Sequence, residues 1–372
     1  MLRSGGLSME NRIRPQLVLR RGLCRLATAL LLVTAQAAPH TTPTGLLVIS
    51  KPARPVVASD PPSGRVFRTP PDLSAAQLAF TIDGAPQSLE YVDFNSAGDA
   101  FITFDDGPSL VAPGGFLKIR NLAGRAAGRF DAARDQWVSG PRSGLKQPKD
   151  IVVSPRAGLV IIADFGDATL KVFAGGARGD IAPRFITPDL GRTSAGPRRP
   201  WGLAYDESAD RLIVGATDGT LVVFDRYLAG RGLGSYRVIV PTMQGQRAAA
   251  NLHDLVYLPA QDTVLMVDVG AAIDRDQSNF DSDGAILVLS GIRQLTGEAP
   301  VRLRISGPKS LLGNPVGVAF DGSALFVADR ARHTLMRFDG LLKLKGRRDL
   351  APSAAVTVVA PESVMLIPPA TR

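Results

Sequence analysis

Short apolar runs, either continuous or alternating with polar residues, recur along this chain between turns rich in Gly, Asp and Ser. This is the two-residue period of β-strands. Three of the units can be laid over one another. The first is Pro148-Lys-Asp-Ile-Val-Val-Ser154, Leu159-Val-Ile-Ile-Ala-Asp164 and Ala168-Thr-Leu-Lys-Val-Phe173. The second is Pro200-Trp-Gly-Leu-Ala-Tyr-Asp206, Arg211-Leu-Ile-Val-Gly215 and Gly219-Thr-Leu-Val-Val-Phe-Asp225. The third is Pro315-Val-Gly-Val-Ala-Phe-Asp321, Leu325-Phe-Val-Ala-Asp329 and His333-Thr-Leu-Met-Arg-Phe-Asp339. A fourth run follows in each, at Arg184-Phe-Ile186, Tyr236-Arg-Val-Ile-Val240 and Ala355-Val-Thr-Val-Val359. Looser copies begin near residues 88 and 251. No segment between the runs sustains a helical period, which excludes a parallel α/β fold.

Four-stranded units repeating at roughly 40–50 residues are the spacing of propeller blades. The termini supply one more unit. Glu362-Ser-Val-Met-Leu-Ile367 reads as a first strand without a blade. Gly45-Leu-Leu-Val-Ile-Ser50, Arg65-Val-Phe-Arg68 and Leu78-Ala-Phe-Thr-Ile82 read as second, third and fourth strands without a first. A blade shared by both termini closes the ring and removes exposed sheet edges. The expected fold is therefore an all-β, six-bladed propeller over residues 44–368.

Pro315–Asp321, Phe326-Val-Ala-Asp329 and His333 together resemble the NHL repeat, and Pro200–Asp206 and Pro148–Asp164 are partial copies. The linkers Ala182-Pro-Arg-Phe-Ile186 and Ala299–Gly307 resemble those of exported bacterial members. The Asn and Arg usual after the strand-two aspartate are replaced by Asp167 and Thr169, or by Arg332 and Thr334. The resemblance implies the propeller architecture. More distantly it points to gluconolactonase- and regucalcin-like propellers, a group that holds hydrolases, lyases and plain binding modules, so fold alone does not choose a function.

Charge changes the picture once the start of the chain is set apart. The 372 residues carry a net charge of +9, but residues 1–37 hold six Arg and a single acid, leaving +4 on the remainder. The other basic residues are dispersed, so nucleic acid is not an expected partner. An Arg-rich start, the apolar run Leu26–Val33 and the small-residue site Ala35-Gln36-Ala37 read as a secretory signal over residues 1–37, with Met1 or Met9 as start. The alternative, a membrane anchor, is disfavoured because the run is far shorter than the ~20 residues a span requires. The sole cysteine, Cys24, lies within this segment. A mature chain beginning with a short tail at 38–43 would have no thiol and no disulfide. Periplasmic or extracellular export, no membrane span after cleavage and a monomer are the expectations.

Candidate chemistry collects on one propeller face, where strand one starts and strand two ends. The third residues of the first strands include Glu90, Asp150 and Asp254. Convergent carboxylates there would repel one another and favour a hard cation such as Ca2+. Aspartates at the ends of the second strands, Asp164, Asp268 and Asp329 among them, have an alternative reading as acceptors of turn N–H groups. Lys149, Trp201 and His253 sit one position earlier and are candidate ligand-binding residues. Among the three histidines, His253 is the candidate general base. A second acidic site, Asn279-Phe-Asp281-Ser-Asp283-Gly284, matches the first half of a calcium loop, but Ser290 stands where the closing Glu belongs. The alternative there is an acidic hairpin with an Asp-Gly turn. These features lead to a binding module for a protein, peptide or glycan on one face, with Ca2+ as the expected ion if the loops are metal-ordered. The rival reading is a metal-dependent, lactonase-like hydrolase or lyase at the channel mouth.

Overall fold

A computed structural model of the chain describes residues 45–51, 63–83, 88–105, 114–125, 128–271 and 282–369. The expected signal with Cys24, the tail with His40, and Asn279 and Asp281 lie outside these residues. Among the described residues no helix is long and apolar enough to cross a membrane. Among the described residues the only helical pieces are single turns such as Pro259–Gln261 and Pro308–Ser310.

Six antiparallel sheets form the blades. Blade 1 pairs Pro361–Ile367, Gly45–Ser50, Ser63–Thr69 and Gln77–Asp83, in that order from the axis. Blade 2 runs Ser88–Phe94, Ala100–Asp105, Gly115–Ile119, Gln136–Ser139. Blade 3 runs Pro148–Ser154, Leu159–Asp164, Thr169–Ala174, Phe185–Thr187. Blade 4 has Pro200–Asp206, Arg211–Ala216, Leu221–Asp225 and Tyr236–Met243. Blade 5 has Leu252–Leu258, Thr263–Asp268, Ala285–Ser290 and Leu303–Ile305, and blade 6 has Pro315–Phe320, Ala324–Asp329, Thr334–Asp339 and Ala354–Thr357. The ring closes as expected: Leu46 pairs with Leu366 and Val48 with Val364.

Alternation places one set of side chains on each face of each blade, and every face meets the next blade. The core is accordingly divided into six apolar clusters, one per blade–blade interface. Leu47, Ile49 and Phe80 of blade 1 meet Leu89, Ile102 and Leu117 of blade 2. Leu46 and Val48, on the opposite face of the same strand, meet Phe326 and Leu335 of blade 6. Burying a Val, Leu, Ile or Phe side chain is worth roughly 1.5–3 kcal/mol. A cluster of nine buried residues, the smallest of the six, therefore holds neighbouring blades face to face without a disulfide.

Outer edges are covered by the neighbour. The connection between the third and fourth strands of each blade reaches back over the outer strand of the preceding one. Gly128–Arg129 pairs in parallel with blade 1, Gly297–Pro300 with blade 4 and Gly346–Arg348 with blade 5. A parallel bridge from Gly179 to Val138 does the same for blade 2. At blade 3 the cover is made by side chains, the Tyr227 ring lying 6.0 Å from Phe185. At blade 6, Leu73 packs into the cluster that holds Val358. Strand edges that would otherwise template aggregation are thereby closed.

The detail that builds the site is a β-bulge in every inner strand. In blade 4 Pro200 pairs with Ala216 and Gly202 with Gly215, so Trp201 is left without an opposite number. The same slip frees His253, Val316 and Glu362 in blades 5, 6 and 1. In blades 2 and 3 it falls at Glu90–Tyr91 and Lys149–Asp150. A bulge re-aims the extra residue out of the ladder, and six of them in register make a ring.

Candidate functional site at the channel mouth

The ring of bulged residues is Glu90, Lys149, Trp201, His253, Val316 and Glu362. Glu90 is fully buried, and its Oε1 accepts from Lys149 Nζ at 3.0 Å and from Lys51 Nζ. Lys149 also donates to Asp105 at 2.7 Å. Burial alone would push the Lys149 ammonium to lose its proton, but Glu90 and Asp105 outweigh it and raise its pKa. Glu362 lies against Glu90 and is approached by Arg330 at 3.3 Å. Burial works to raise the Glu362 pKa, yet Lys51, Arg330 and Lys149 bring it below the ordinary value. The Lys149 ammonium sits 4.8 Å from the centre of the Trp201 ring, a cation–π distance. Trp201 stacks on the His253 imidazole, centroids 3.9 Å apart and planes 14° from parallel. Burial, with Lys149, Arg330 and Lys51 nearby, holds His253 well below its usual pKa. It is a neutral ring at pH 7 and a weak base.

One layer further in, Tyr91 crosses the channel. Its hydroxyl donates to the Val316 carbonyl of blade 6 and accepts from Trp201 Nε1 of blade 4 at 3.1 Å. This plug was not anticipated from the sequence, where Tyr91 reads as one more strand residue. Counting from the strand start puts Glu90 beside Asp150 and Asp254. The pairing corrects that level: Leu89 stands opposite Phe104 as Pro148 stands opposite Asp164, so Tyr91, not Glu90, shares the layer of Asp150 and Asp254.

Asp150 and Asp254 act as latches between blades. Asp150 accepts from its own neighbour, Ile151 N, at 2.7 Å and from Leu203 N of blade 4 at 2.6 Å. Asp254 accepts from Leu255 N and from Val318 N of blade 6, both at 2.7 Å. Asp93 repeats the device with Phe94 N and Val153 N. Facing these latches are Gly202 and Gly317. A Cβ on Gly202 would stand 2.6 Å from the His253 carbonyl oxygen, and one on Gly317 2.7 Å from Ser363 Cα, so only glycine lets the inner strands approach this closely. Burial lifts the Asp254 pKa to about 8 and that of Asp93 to about 6. It lifts Asp150 well above the ordinary range, with the Asp254 charge adding to the effect.

A pH prediction follows from these directions. The folded Asp254 pKa exceeds the unfolded one, so the native state holds the extra proton and stability falls as pH rises from about 4 to about 8. In Asp254→Asn one backbone N–H meets an amide NH2 instead of an oxygen, at a cost of about 1–3 kcal/mol. The stability gap between the native chain and this variant is expected to narrow from pH 5 to pH 8 in urea unfolding. His253, common to both proteins, cancels. A gap independent of pH contradicts the assignment.

The strand-two aspartates are turn acceptors. Asp164 binds Lys146 N and Gln147 N, Asp268 binds Ala250 N and Asn251 N, and Asp329 binds Gly313 N and Asn314 N. His333 is structural as well, its Nδ1 accepting from Ala360 N at 2.9 Å. Asp283 Oδ2 accepts from Ala271 N at 2.7 Å, its carboxylate pressed over Gly270. Glu90, Asp150 and Asp254 do not converge. Among the described residues no group of three or more His, Cys, Asp or Glu is placed to hold a metal ion.

No family model matches the chain, and no curated protein does. Among solved structures the chain is similar to one in the crystal structure of a nidogen/laminin complex, at 12% identity over 86% of this chain and 97% of that one, TM-score 0.53. It is similar, too, to a protein from Lactobacillus plantarum, at 11% identity over 87% and 98%, TM-score 0.50. The chain is a six-bladed β-propeller. At these identities the likeness shows the fold alone.

Proposed function

We propose that this chain is an exported, NHL-like propeller that presents its channel-mouth face to a protein, peptide or glycan. The observation that carries this reading is the closed mouth. Glu90 is neutralised by Lys51 and Lys149, and Tyr91 seals the layer beneath. A lactonase-like hydrolase would need an accessible cation with an open position and a base that titrates near neutrality. Here the ammonium groups stand where the cation would, and His253 is held neutral. What the face offers is a preorganised Lys149–Trp201–His253 stack, of the kind that anchors binding interfaces. One structurally similar chain belongs to a nidogen/laminin complex, and that supports a protein partner. We further propose that Asn279, Asp281 and Asp283 bind Ca2+.

Trp201 is one of only two tryptophans, so Trp137→Phe leaves it as the sole indole reporter. Titration with peptide and glycan panels is expected to quench its emission. Trp201→Ala should weaken the best binder by roughly 30-fold or more, the loss of an interface anchor. Lactone turnover by the unaltered chain on addition of Ca2+ or Zn2+, without any such binder, would favour the hydrolase instead.

A further inference from the structure

Beyond the Tyr91 plug the channel widens into a cavity of about 220 Å³. The mouth residues Glu90, Lys149, Trp201 and His253 do not line it. Its walls come from all six inner strands and are largely apolar, with Leu203, Val256 and Phe320 among them. The polar exceptions are Asp93, Asp150, Asp254, Ser363 and the tyrosines Tyr91 and Tyr257. We propose that this cavity is a binding site for a small primary alkylamine, its ammonium group meeting Asp150 and Asp254 and its unbranched apolar stem lying along the walls.

Charge is the first argument. Asp150 and Asp254 are each about 5–6% exposed, and neither forms an ion pair among the described residues; their hydrogen-bond partners there are backbone N–H groups. A carboxylate has about four lone-pair sites, and two backbone donors leave acceptor capacity on each. Buried carboxylates without a counter-charge are costly, so burial keeps both groups protonated in the free protein, and a monocation with three N–H donors supplies the counter-charge that lets them ionise.

An independent observation comes from Ser363. It is 2% exposed, it lines the same cavity, and its Oγ has no hydrogen-bond partner among the described residues. Buried hydroxyls are normally satisfied, and an ammonium or the first polar atom of a ligand would satisfy this one. The rest of the wall sets the remainder of the ligand. A hard divalent cation such as Ca2+ or Mg2+ takes six or more oxygen ligands, whereas the walls here are mostly apolar side chains. An anion would face three carboxyl groups and no cation. Size sets the last limit. A cavity of about 150 Å³ accepts benzene, so this one accepts a stem of about six carbons.

The test uses the full chain with n-hexylamine hydrochloride and, as a neutral probe of the same shape, n-hexanol. Calorimetric titration is expected to show saturable one-to-one binding of hexylamine, roughly tenfold or more tighter than hexanol, as a charge-assisted hydrogen bond demands. Ala204→Leu narrows the cavity without touching a carboxyl group, and it should abolish binding while leaving the circular dichroism of the fold intact. Equal affinity for the alcohol overturns the assignment. So does no saturable binding of hexylamine to the folded, unaltered chain, or undiminished binding by a folded Ala204→Leu.

Discussion

Glu90→Leu is expected to lower the unfolding free energy by about 3–5 kcal/mol, the usual cost of removing one partner from a buried ion pair. Two ammonium groups, those of Lys51 and Lys149, lose their shared counter-charge, and the side chain of Lys149 is only 7% exposed. Adding Lys149→Met to the same chain should recover part of that loss, with a coupling of about 0.5–3 kcal/mol in a double-mutant cycle. Equilibrium urea unfolding of the four proteins measures it. The sign is informative about function. Were Glu90 one of several carboxylates repelling one another around an ion site, its removal from metal-free protein would be neutral or stabilising. A loss near the predicted size places Glu90 in the closure of the mouth.

Tyr91→Ala is expected to cost about 3–5 kcal/mol, the range for deleting a large buried aromatic side chain. Tyr91 is 2% exposed and joins blade 2 to blades 4 and 6 through its hydroxyl. Tyr91→Phe retains the ring and should cost about 1–3 kcal/mol, because the Val316 carbonyl and the Trp201 indole each lose a partner. Urea unfolding ranks the two. In the phenylalanine variant the Trp201 emission should also shift, since its Nε1 is no longer hydrogen-bonded to the plug. Equal costs for the two variants would mean that the ring contributes nothing as a plug.

The fold was legible because strand periodicity is local and the repeat multiplied it. Strands were expected to begin near 148, 200, 251 and 314, and they begin at Pro148, Pro200, Leu252 and Pro315. The blade shared by the termini was recoverable because Glu362–Ile367 lacked a partner anywhere else. The fourth strand of blade 2, Gln136–Ser139, was not seen; four residues with alternate polar positions resemble a turn. The site was only half legible, for one physical reason. Bulges are invisible to counting. Lys149, Trp201 and His253 were placed together correctly by position, but blade 2 begins one residue early relative to its bulge, which moved Glu90 to the wrong layer. Glu362 was not among the candidate residues, although alignment of its strand with Pro200-Trp201 and Leu252-His253 would have found it. Lys51, Arg330 and Tyr91 carry no sequence signal, because their roles depend on contacts between blades far apart in the chain.

The shared blade has a consequence for biogenesis. The axial strand Pro361–Ile367 completes a sheet whose other members are residues 45–83. Until that last segment is available, blade 6 and the sheet begun at Gly45 each lack a neighbour, and the apolar side chains of Leu46, Val48 and Phe326 face solvent. A polypeptide that lacks this segment is thus an open arc whose first blade has no axial strand.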